Sequence, residues 1–155
     1  MSEKVDVQAA LRDAIQTEKD AMDYYLYASE KMNDDKARDA FALLAREERQ
    51  HAKMFYKVYK GGDLPPFDEY MQLPPKTDSS WWTALQEALL GDFDERKALE
   101  LALDQEEALE KELREMAAKI DDAEICAIYE ANANSTHHHA EVIEDEYKAM
   151  LGMSS

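Results

Sequence analysis

Glu48 and His51 stand three residues apart, a spacing that on a helix turns a carboxylate and an imidazole toward one point. That mixture of ligands suits iron, manganese or zinc better than calcium, which prefers oxygen alone. Three further residues break otherwise apolar helical stripes. Glu18 falls between Ile15 and Met22, Glu106 between Leu103 and Leu113, and His139 between Tyr129 and Val142 or Ile143. Burying three carboxylates together is costly for each ion and adds mutual repulsion. A divalent cation removes that difficulty, whereas a hydrogen-bonded polar network without metal is the competing reading. Of His137, His138 and His139, only one can face inward, because successive helical residues rotate by ~100°; the apolar stripe selects His139.

The elements that must position these residues are helices. Long stretches rich in Ala, Leu, Glu, Lys and Met are interrupted by only four Gly and four Pro, which reads as all-α. Apolar periodicity predicts helices over about 5–32, 34–60, 93–120 and 122–150. Helix 1 starts near Val5, and Gly61-Gly62 follows the end of helix 2. All four prolines lie between residues 61 and 80, so 61–92 is a long crossover. It carries one short helix over about 80–90, with Gly91-Asp92 punctuating before helix 3. Two tight hairpins joined by a crossover form a four-helix bundle. Glu18, Glu48, Glu106 and His139 each lie near the middle of their helix. At ~1.5 Å per residue they fall at one level of the bundle.

The 155 residues suit a single domain, 1–155. Thirty-five acidic against eighteen basic residues give a formal charge of −17, which argues against nucleic acid or an anionic membrane as partner and attracts cations. No apolar run is long enough for a membrane span, and residues 1–20 are too charged for a signal peptide. The single cysteine, Cys126, has no internal disulfide partner and no Cys-x-x-Cys context. A reducing cytoplasm is the expected setting.

The two halves repeat. Sliding the chain by the separation of Glu18 from Glu106 also places Ala14 on Ala102, Lys31 on Lys119, Asp34 on Asp122, His51-Ala52 on His139-Ala140 and Tyr59-Lys60 on Tyr147-Lys148. With Glu18, Glu106 and Glu48-x-x-His51 in place, the sequence resembles the ferritin-like di-iron carboxylate proteins, and among them the rubrerythrin-like group without a rubredoxin domain. The family pattern is a Glu from each of two helices and a Glu-x-x-His from each of the other two. Here the second pair reads Thr136-x-x-His139, so one carboxylate is absent, and Leu109 stands where rubrerythrins carry an extra glutamate. Three outcomes follow: one firm and one weak metal, an exogenous bridge, or recruitment of Glu110 one turn beyond Glu106.

The resemblance implies Glu18, Glu48, His51, Glu106 and His139 as metal ligands. It also implies one or two Fe ions, with Mn or Zn as alternatives, and dioxygen or peroxide as reaction partner. Iron handling or oxidative-stress defence would follow, with a homodimer as the family's frequent assembly. No catalytic residue beyond the ligands is legible. The alternative is a non-enzymatic helical bundle with a structural or vestigial metal site, acting through dimer or partner contacts. Tyr25 shares the face of Glu18, Asn132, Ser135 and Thr136 lie near the seam, Trp81 and Trp82 are expected to cap one end of the bundle or cover a dimer contact, and Cys126 is expected to be an inert packed thiol.

Overall fold

The computed structural model describes residues 6–90 and 93–152. Six helices follow one another: α1 (Val7–Lys31), α2 (Asp35–Val58), α3 (Phe67–Gln72), α4 (Ser80–Ala88), α5 (Glu95–Lys119) and α6 (Ala123–Met150). The expected starting point at Val5 and the Gly91-Asp92 break lie outside the described residues.

Local chemistry explains where these helices begin. Asp6, Asp34, Ser79, Asp94 and Asp122 each accept a hydrogen bond from a backbone N–H in the first turn of the helix that follows. Such a cap contributes about 1 kcal/mol. Lys31, Lys57, Lys119 and Lys148 lie in last turns, where a cation complements the helix dipole. The internal repeat extends to these ends. α1 and α5 match end for end in the shifted register, as do the caps Asp6 with Asp94 and Asp34 with Asp122.

α1 and α2 form one hairpin, α5 and α6 the other, and the two meet through α2 against α6. α1 and α5 make no comparable approach; α4 fills one end between them, packing on both. Leu11, Ile15, Phe41, Leu44, Phe55, Leu99 and Ile143 are buried along the inner stripes. Burial of each such side chain contributes about 1.5–3 kcal/mol. The result is the all-α, ferritin-like bundle of two hairpins and a long crossover that the sequence implies.

The crossover departs from expectation at α3, a helical turn and a half where only irregular chain was foreseen. Pro66 stands at its N-cap, where a missing N–H costs nothing, and Asp68 and Glu69 fill its first turn. Leu73, which precedes Pro74, ends it. α3 is tied down by Arg49, which pairs with Asp68 at 2.6 Å and lies over the Phe67 ring. Beside it, Lys19 is almost fully buried. Its Nζ donates to Asp23 Oδ2 at 2.7 Å and to the Leu73 carbonyl at 2.9 Å. α2 ends at Val58, two residues before the expected limit, with Tyr59 as its cap, and Gly62 takes a positive φ of 72° in the turn that follows. Among the described residues, no helix is long and apolar enough to cross a membrane.

Candidate metal centre

α1, α2, α5 and α6 each turn a polar residue into the apolar seam, and the bundle brings them to one level. Glu48, Glu106 and His139 are wholly buried, and Glu18 and His51 nearly so. Their ligating atoms form two groups, each within 4.8 Å: Glu18, Glu48 and His51 in one, and Glu48, Glu106 and His139 in the other. Glu48 belongs to both. The first group lies entirely on the α1–α2 hairpin, and the second spans both hairpins.

Nδ1 of each imidazole faces the carboxylates. His139 Nδ1 is 2.7 Å from Glu48 Oε1 and 3.7 Å from Glu106 Oε2. His51 Nδ1 is 3.5 Å from Glu18 Oε2 and 3.7 Å from Glu48 Oε2. The two rings, at equivalent positions of the internal repeat, stack with centroids 5.2 Å apart and planes 9° from parallel. Their outer nitrogens are held as well, His51 Nε2 by Ser135 Oγ and His139 Nε2 by Glu47 Oε2, each at 2.9 Å. Tyr25 donates from its hydroxyl to Glu106 Oε1 at 2.9 Å. Tyr25 is itself packed edge-on against Tyr24, Phe41 and Trp81. Trp81 is therefore part of the wall behind the site, while Trp82 stacks edge-on with Tyr27 nearer the surface.

Several ligating atoms lack hydrogen-bond partners despite burial: both oxygens of Glu18, Oε2 of Glu48 and of Glu106, and Nδ1 of His51. Orphaned polar atoms in a dry core are costly. Here they converge from three helices, α1, α2 and α5, and with His139 of α6 beside them they make the donor set a divalent cation needs. Protons occupy the cluster otherwise. Burial, followed by the charge of Glu48, pushes Glu18 well above the ordinary carboxylate range and Glu106 up to about 7. Burial acts the same way on Glu48, but its polar neighbours Glu18, His139 and His51, of which His139 bonds to it directly, outweigh burial and hold Glu48 low. Burial disfavours imidazolium, yet the nearness and charge of the adjoining glutamates lift His51 to about 10 and His139 to about 11.

Thr136 is buried at the same level, but its hydroxyl donates back to the Asn132 carbonyl at 2.8 Å. Glu110 does not replace the absent carboxylate. It is held near the surface by Arg114 and His137 and belongs to neither group. His138 is exposed, and His137 reaches only Glu110 and, at 3.9 Å, Glu141. Glu47 escaped the sequence reading, because a glutamate beside Glu48 in so acidic a chain carries no periodic signal. Cys126 bonds to the Ala117 carbonyl and Glu130, away from the cluster.

Comparison with known proteins bears on the same stretch of chain. No curated protein and no solved structure matches it. The rubrerythrin family model matches residues 9–147, which takes in the four long helices except the first two residues of α1 and the last three of α6, and every residue of the cluster. The chain therefore belongs to the rubrerythrin family.

Proposed function

We propose that the chain is a non-haem iron protein whose buried centre holds two ions and reacts with dioxygen or peroxide. Glu18 and His51 would hold one ion and Glu106 and His139 the other, with Glu48 within reach of both. The single observation that carries this reading is the membership of Glu48 in both groups of convergent, orphaned ligands. Iron, when bound, supplies electrons and Lewis acidity. The chain's own residues supply the setting. Glu47 and Ser135 fix the rings with Nδ1 toward the site. Tyr25 occupies one oxygen of Glu106 and leaves the other free. The apolar wall of Tyr24, Phe41 and Trp81 keeps water from one side.

The test is metal content per chain after anaerobic reconstitution with ferrous iron, for the wild type, Glu48→Ala and Thr136→Glu. Two irons in the wild type, with loss in Glu48→Ala, are expected. Absence of iron from all three proteins would refute the proposal. The inward-closed hydroxyl of Thr136 favours a second reading, in which the centre is a structural or vestigial metal site and the protein acts through contacts. On that reading iron raises the melting temperature, while peroxide leaves the ferrous spectrum of the loaded protein unchanged.

A further inference from the structure

Glu18 differs from the other four ligands in lining a cleft. A depression of about 260 Å³ opens along α1 and α5, with Tyr129 of α6 at its base. Here the backbones of α1 and α5 stand farther apart than those of α2 and α6, whereas on the other side of the cluster Tyr24 and Tyr25 of α1 bond to Ala98 and Glu106 of α5. Ala14, Leu109 and Leu113 form its walls. Glu18 and Tyr129 lie at its inner end, buried, with both carboxylate oxygens and the phenolic oxygen unpartnered. Asp13, Glu112 and Glu115 are exposed at its mouth beside a single cation, Lys119. On the α2–α6 side, by contrast, the His51 and His139 rings and their partners Ser135 and Glu47 stand between the cluster and solvent.

We infer that this cleft is the port through which divalent cations reach the centre, with Asp13, Glu112 and Glu115 drawing the ion in and Glu18 receiving it. The inference rests on the metal centre proposed above. Between the mouth and Glu18 the walls are mostly apolar, Ala14, Leu109, Leu113 and Met116, with the neutral hydroxyl of Thr17 as the one polar side chain on the way and no charged group to hold the ion there. The acidic mouth also disfavours an anionic occupant. A field of one sign at the mouth of a low-dielectric cleft raises the local concentration of counter-ions and hence the association rate, and salt weakens the effect. Leu109 is pertinent because an aliphatic wall here cannot hold the ion short of the site.

The experiment follows Co2+ entering the metal-free full chain by stopped-flow absorbance, at low and at high salt. The port variant is Asp13→Asn with Glu112→Gln and Glu115→Gln. A control variant carries the same loss of charge outside the cleft, at Asp39→Asn, Glu69→Gln and Glu87→Gln, all exposed positions. The port variant should load about tenfold more slowly at low salt, with a flatter salt dependence and an unchanged final spectrum; the control should load nearly as fast as the wild type. Equal slowing in both variants, or in neither, overturns the port. Failure of the wild type to bind Co2+ at all removes the metal centre and the port together, so the two failures are distinguishable.

Discussion

Glu48 stands between the two imidazoles, with Oε1 2.7 Å from His139 Nδ1 and Oε2 3.7 Å from His51 Nδ1. The adjoining glutamates raise both histidines, which favours a proton on each Nδ1 in the place a metal would take. Loading must therefore release those protons, and affinity must fall as pH falls, because protons then compete for the same lone pairs. Calorimetric titration of metal in buffers of different ionisation enthalpy should show heats that depend on the buffer; buffer-independent heats would contradict this account. Glu47 acts one bond further out, on Nε2 of His139. Glu47→Ala should weaken metal binding by about 10–100-fold while the circular dichroism and the melting curve of the metal-free protein stay near wild type. At this scale the sequence showed which polar residues meet in the core, because each is polar on an apolar stripe. It did not show Glu47, which reaches the site from a half-exposed position, or the turning of the Thr136 hydroxyl, which depends on a local backbone bond.

The helices were legible because every signal agreed: periodic apolar residues, aspartates at the caps, and lysines in last turns. α3 was obscured by the four prolines, although Pro66 followed by Asp68 and Glu69 is itself a helix-start pattern. What holds the crossover could not be read, because Lys19 meets Leu73 across 54 positions. Lys19 and Asp23 form an almost fully buried ion pair. Asp23→Ala should destabilise by about 3–5 kcal/mol, since it leaves a buried ammonium without its counter-charge. Lys19→Met combined with Asp23→Leu should restore most of that loss. Chemical denaturation of the three variants checks both, and a double variant as unstable as Asp23→Ala would contradict the argument. α4 contributes through Trp81, which packs against Tyr24 and Tyr25. Trp81→Ala should cost about 3–5 kcal/mol. It should also loosen the Tyr25–Glu106 hydrogen bond, seen as a changed tyrosine fluorescence and a lower denaturation midpoint.

Across the whole molecule, a formal charge of −17 is gathered on one bundle, and three of its carboxylates lie buried together at the centre. A cation that binds only the folded state relieves both strains. At a free concentration of a hundred times Kd it should add about 2.7 kcal/mol to stability, read as a raised melting temperature that a chelator reverses and that Glu48→Ala lacks. Without metal, Glu106→Leu should stabilise the bundle by removing a buried acid; a lower melting temperature would show instead that Glu106 earns its place through Tyr25. The fold class was legible at this scale, and the open seam between α1 and α5 was not, because periodicity locates faces without saying how closely two of them approach. The division of ligands between hairpins has a temporal side. During synthesis, Glu18, Glu48 and His51 can come together as soon as α1 and α2 have folded, while Glu106 and His139 complete their group only after the second hairpin docks. Separation of the hairpins would undo the groups in reverse, so that on the proposed two-ion reading one ion would be released while the N-terminal hairpin still held the other.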